Sequence, residues 1–170
     1  MMHLAGAFLI ILALGGAGWA YAAGYTRRIR ELEDWQQALK WCEIEINYRL
    51  LPLPEVLELV GKRLDNAVGA VFLTCAAKIE KHQSAQAAWQ DAIEQYLHAS
   101  ALTAADGEFL LRFGAVLGKS DLAQQNKNFA FLAENLAKSL AEAERERAAK
   151  AKIYRYLGFS SGIALVLILF

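Results

Sequence analysis

Gly114, Gly118, Lys119 and Ser120 lie in the run "FGAVLGKSDLAQQNKN", and a glycine followed shortly by Gly-Lys-Ser is the raw material of a nucleotide phosphate cradle. In that cradle, G-x-x-x-x-G-K-[ST] follows a strand, and its backbone N–H groups wrap the phosphates before a helix begins. Here the two glycines are one residue too close. The preceding "DGEFLLRF" places Phe109, Leu110, Phe113 and Leu117 at helical steps, so a helix and not a strand enters the loop. The spacing predicts a helix–turn–helix corner with Gly114 and Gly118 as its turn residues. Gly118 is expected in the left-handed conformation just past a helix end. Ser120 is expected to cap the next helix, and Asp121 suits that helix's positive end.

The other reactive residue types are as poorly placed for chemistry. His82 and His98 have no Cys, His or carboxylate at ligand spacing, so no metal site is expected. Glu43 and Glu45, two apart, fall on different sides of a helix and do not form an acid–base pair. Cys42 and Cys75 each sit in a helical, mostly apolar pattern and are read as small buried residues. No Ser, Cys or His set resembles a triad. The expectation is no catalytic residue, no cofactor and no enzyme.

Charge is distributed unevenly. The chain has 170 residues and is 56% hydrophobic, yet Met1 to Thr26 and Tyr156 to Phe170 contain no Asp, Glu, Lys or Arg. Three parts follow: an N-terminal transmembrane anchor at 1–25, a helical domain at 26–155 and a C-terminal transmembrane segment at 156–170. The first apolar run, Leu4 to Tyr25, has the roughly 20 residues that a bilayer core requires. A secretory signal peptide carries its positive charge before the apolar run, whereas here "RRIR" follows it. The last segment reaches roughly 22 Å as a helix, short of a 30 Å core, with Lys150, Lys152 and Arg155 flanking its start. By the positive-inside rule both flanks hold the middle domain in the cytoplasm and send both termini across. Lys plus Arg equals Asp plus Glu at 18 each, so a nucleic-acid partner is not expected.

The middle domain reads as all-α. The prolines, Pro52 and Pro54, separate a first helix from a second, with Pro54 in the first turn of the latter. Ile29, Leu32, Leu39, Cys42, Ile46 and Leu50 stripe the first helix, and Trp41, Ile44 and Tyr48 widen the stripe to suggest burial on more than one side. Asp65 or Asn66 is the cap of a third helix, which places Val68, Val71, Phe72, Cys75 and Ile79 inside. Ser84 caps a fourth, with Trp89, Ala92, Ile93, Tyr96 and Leu97 on its apolar face. Thr103 and Asp106 announce a fifth that ends at Gly118. A sixth begins at Ser120 and meets no breaker before Gly158. Leu122, Phe129, Leu132, Leu136, Leu140 and Ala143 line it, then "EAERERAAKAK" bridges to the last segment with Glu146 and Lys150 at i,i+4.

"EIEINYRLLPLPEVL", the corner "FGAVLGKSDLAQQNKNF" and the ending "YRYLGFSSGIALVLILF" after a charged helix resemble, in this order, the stage III sporulation protein AB family of endospore-forming bacteria. The resemblance spans essentially the whole chain. It implies a six-helix bundle, similar to the helical domain of the type II secretion inner-membrane platform F-type protein, flanked by N- and C-terminal transmembrane helices. It further implies a scaffold of the channel apparatus between mother cell and forespore, in the mother-cell membrane around the forespore. The implied partners are the other stage III sporulation channel proteins, a cytoplasmic secretion-type ATPase and the lipid bilayer, and a homo-oligomer stays open. The polar positions around the corner, Lys119, Asp121, Gln124 and Gln125, are the candidate docking face. The alternatives are a platform subunit of a non-sporulation type II secretion or pilus-like system, and a membrane-bound enzyme whose site is assembled in space.

Overall fold

The computed structural model describes the backbone of residues 2–49, 51–115, 117, 122–154, 156, 157, 160 and 161. Among them are six α-helices and no strand: α1 Met2–Arg49, α2 Leu53–Leu64, α3 Ala67–Glu80, α4 Ala85–Leu97, α5 Ala104–Gly114 and α6 Leu122–Glu146, with a π-helical turn at Arg147–Ala151. The all-α class and the number of helices agree with the pattern of apolar residues.

Local chemistry sets most boundaries. Pro52 and Pro54 stop α1 and open α2, where a missing N–H costs nothing. Asp65, left-handed at φ 43°, closes α2, so that Asn66 is the cap of α3 and accepts from the Gly69 N–H at 2.9 Å. Gly61 and Gly69 let α2 and α3 approach closely: a Cβ on Gly61 would lie 2.8 Å from the Gly69 carbonyl oxygen, and one on Gly69 2.7 Å from that of Gly61. Ser84 accepts from the Ala87 N–H and starts α4. Thr103 and Asp106 form a reciprocal capping box at the start of α5.

The far end of α5 corrects the sequence reading. Expected to run to Gly118, the helix ends at Gly114, with Ala115 as its C-cap. Gly114, expected in the turn, is a buried helical residue that serves close packing, because a Cβ there would lie 2.4 Å from Cδ1 of Trp89. Gly118, Lys119, Ser120 and Asp121 lie outside the described residues, and the expected left-handed turn at Gly118 falls there too.

The chain divides into two compact units, one of Met1–Ile29 with Ala141–Phe170 and one of Arg30–Leu140. In the second, α2 packs on α3, α3 on α4 and α4 on α5. Its core is a continuous file of aromatic rings. Trp35 of α1 meets Phe72 of α3 at 5.4 Å and Trp89 of α4 at 6.0 Å; Trp89 meets Phe113 of α5 at 5.4 Å; Phe113 meets Phe129 of α6 at 5.0 Å. Most are edge-to-face contacts, the geometry that the ring quadrupoles favour. The Trp89 indole N–H donates to the Leu110 carbonyl at 2.8 Å, so this buried ring carries its polar atom without penalty. Glu31 accepts from the Tyr96 hydroxyl and the Ala101 N–H, both at 2.9 Å, and ties α1 to the connection between α4 and α5. Burial, and then Glu31 beside it, push the Tyr96 hydroxyl above its ordinary pKa.

Trp35 and Ala38 complete the α1 stripe inside the core, but the widening of that stripe does not hold: Ile44 is exposed and Trp41 only half-buried. Leu50 and the side chain of Tyr48 lie outside the described residues.

Candidate functional site

Buried charges are the first place to look for chemistry, and each one described is occupied by structure. Asp106 closes the capping box of α5, and Arg28 donates to Glu146 at 2.9 Å. Glu45 lies within ion-pair distance of Arg49 and Arg63. Glu43, on another side of α1, is exposed, so the two carboxylates do not work as a pair. Cys42 and Cys75 are free and buried; burial raises both thiols, that of Cys75 to about 12, and a neutral buried thiol is a poor nucleophile. His82 and His98 are exposed at helix ends, and no group of metal ligands occurs among the described residues.

The recessed surface worth describing lies between α5 and α6. The capping box fixes the phase of α5, so Leu110 and Phe113 turn to the core while Phe109 and Arg112 face the adjacent side. On α6, Phe129, Leu132 and Leu136 turn inward. Between them Phe109, Arg112, Phe113, Asn128, Phe131 and Leu132 line an open pocket of about 210 Å³. Phe131 is 63% exposed at this pocket, an unusual place for a phenyl ring on a folded domain. Arg112 is held one turn along α5 by Glu108 at 2.6 Å. The candidate docking residues read from the sequence are adjacent in the chain. Lys119 and Asp121 lie outside the described residues; Gln124 and Gln125 fall in the first turns of α6, and their side chains are not among those described. The expected docking face therefore falls outside the described side chains, and the structure adds a pocket that the sequence reading did not name. The signal for it was Phe131, an aromatic residue off the stripe of Phe129, Leu132 and Leu136.

The first unit is built differently. Arg28, buried, holds Glu146, which also accepts from Lys150 at 2.9 Å, the expected i,i+4 pair. Tyr21 meets Tyr154 at 4.8 Å and Tyr25 meets it at 6.3 Å, while Ala22 and Ala143 are buried as small contacts. The π turn at Arg147–Ala151 lies between Glu146 and Tyr154. One residue inserted in a helix rotates the face that follows by about 100°. The sequence, which shows only good helix formers there, gave no sign of it. Trp19, Tyr21, Ile153, Tyr156 and Leu157 are exposed. Among the described residues no helix is long and apolar enough to cross a membrane, and residues 162–170 of the last apolar segment lie outside them.

Comparisons with known proteins agree with one another. The stage III sporulation protein AB family matches residues 3–170. Stage III sporulation protein AB of Bacillus subtilis (strain 168) is 31% identical over 170 residues, covering 99% of each chain. A solved structure of Stage III sporulation protein AB (SpoIIIAB) superimposes with a TM-score of 0.68 at 27% identity, over 72% of this chain and 98% of that one. With the fold matched and the family matched from end to end, this chain belongs to the stage III sporulation protein AB family.

Proposed function

We propose that the protein is a non-enzymatic scaffold of the secretion-like channel apparatus between mother cell and forespore, which holds a cytoplasmic secretion-type ATPase against the membrane. Its apolar ends, residues 1–25 and 156–170, serve as anchors in the mother-cell membrane around the forespore. The domain at 26–155 is cytoplasmic and both termini lie on the far side. Other channel proteins of the same stage are its neighbours in the assembly. The family resemblance implies a helical domain like that of type II secretion platform proteins, and a platform domain of that kind suits motor docking.

The placement of exposed large apolar side chains carries this reading. Of the eight such residues described, five (Trp19, Tyr21, Ile153, Tyr156 and Leu157) lie in the unit that joins the two apolar ends. Exposed Trp and Tyr beside long apolar runs are what a membrane–water interface selects, because the ring is apolar and its N–H or O–H stays wet. Phe131 is the largest of the remaining three and borders a pocket, as a protein-docking residue does. The buried charges are consumed in capping and pairing, which supports a scaffold over an enzyme.

Membranes prepared from sporulating cells with and without the protein test this directly. The ATPase is expected to be membrane-bound in the first and soluble in the second. Equal recruitment in both removes the docking role.

A further inference from the structure

Where α1 ends beside α2, four side chains form a cluster that neither the membrane ends nor the α5–α6 pocket uses. Glu45 is 3% exposed and flanked by two cations: Oε2, which accepts no hydrogen bond, lies 3.3 Å from Nε of Arg49, and Oε1 lies 3.7 Å from Nη1 of Arg63. The two guanidiniums are not buried with it. Arg49 is 63% exposed and Arg63 47%, and Arg63 lies over the Trp41 ring with its carbon 5.3 Å from the ring centroid. Ile44 is exposed next to Glu45 on the same helix. One turn along α2, Glu58 and Lys62 neutralise each other.

A buried carboxylate of this kind is not explained by stability, since an apolar residue in its place costs no desolvation and serves a core equally well. What Glu45 does provide is position. Each arginine lies within ion-pair distance of it while its own guanidinium stays exposed, so the guanidinium donors remain available to a partner. The Trp41 ring fixes the guanidinium of Arg63 further through a cation–π contact. Two cations against one carboxylate leave a net positive charge. It is held on a rigid support, so little side-chain entropy is lost when a partner engages it. Trp and Arg beside an aliphatic residue is also the composition in which binding energy concentrates at protein interfaces.

We propose that Trp41, Ile44, Arg49 and Arg63 form a docking surface for an acidic segment of a partner protein, one that presents carboxylates to the two arginines and an apolar side chain to Ile44, with Glu45 as the positioning residue. Charge complementarity and the apolar neighbour select this partner. A nucleic-acid backbone calls for a broader basic surface than one net charge, and the residues suited to lipid lie in the other unit. The inference rests on the scaffold reading only in taking the partner to be a protein, and it is independent of which surface receives the ATPase.

The test places the photoreactive residue p-benzoylphenylalanine at position 44 of the full chain in sporulating cells. The expected product is an adduct to a protein, at a peptide carrying at least two neighbouring Asp or Glu residues. Arg49→Glu with Arg63→Glu is expected to lower its yield at least tenfold, and exchanging the partner's carboxylates for lysine is expected to restore it. Should the double reversal lower the melting temperature, Arg49→Gln and Arg63→Gln decide: each leaves melting unchanged and lowers the yield at least threefold. No adduct, an adduct confined to lipid or to a second copy of the chain, or a yield indifferent to both arginines overturns the proposal. The readout does not involve the ATPase, so failure here and failure of ATPase recruitment are told apart.

Discussion

Tryptophan and tyrosine occur in both units of this molecule and are treated in opposite ways. In Arg30–Leu140, Trp35 and Trp89 are fully buried in a file of rings that runs through α1, α3, α4, α5 and α6. In the unit of Met1–Ile29 with Ala141–Phe170, Trp19 and Tyr156 are exposed, and the buried residues described include Ala22, Ile29 and Ala143 beside the Arg28–Glu146 pair. The first set joins helices by removing aromatic area from water, the second leaves that area available. The same residue types therefore fold one unit and lie exposed on the other.

The comparison breaks most clearly at Trp89. Trp89→Ala removes a ring that touches Trp35, Phe72 and Phe113 together with its hydrogen bond to the Leu110 carbonyl, so it is expected to cost about 4 kcal/mol. Denaturant unfolding of the full chain in detergent, followed by circular dichroism, measures it; a loss below about 1 kcal/mol shows that the ring file does not hold the bundle. Crowding the same ring is the milder version. Gly114→Ala puts a methyl 2.4 Å from Cδ1 and 3.1 Å from Cγ of Trp89, a ring confined on its other faces, and is expected to cost about 2 kcal/mol in the same measurement.

At the other extreme, Trp19→Ser with Tyr156→Ser is expected to change unfolding by less than about 0.5 kcal/mol, because these side chains bury little in the folded chain. Under the proposed membrane anchoring its effect belongs to the bilayer, and quenching of Trp19 fluorescence by brominated lipid is expected in the unsubstituted protein. Absence of quenching, with the chain inserted, places this ring outside the membrane interface and removes the contrast between the two units.

What was legible in the sequence follows the range of the interactions. Asn66, Ser84 and the Thr103–Asp106 box each act within three residues, and the sequence names them; Pro52 and Pro54 act through their own rings. Gly114 misled because a glycine near a helix end has two uses. A turn is readable locally, whereas room for Trp89, 25 residues earlier in the chain, is not. Ile44 misled in the same manner, since apolar spacing predicts a face but not whether another helix covers it. Phe131 could have been noticed as an aromatic residue out of phase with its stripe. The pocket beside it required knowing that α5 and α6 meet there. The residues the sequence named at the neighbouring corner, Lys119, Asp121, Gln124 and Gln125, lie outside the described side chains.

Phe113 and Phe131 line the same pocket, one buried and one exposed, and they put the central claim to its most direct test. The full chain, reconstituted in liposomes, is mixed with the purified ATPase, and the bound fraction is measured by flotation for the unsubstituted protein and for Phe131→Glu. The account predicts that Phe131→Glu lowers bound ATPase at least tenfold while melting stays unchanged, since this ring contributes little to the core. Undiminished binding by a folded Phe131→Glu protein contradicts it.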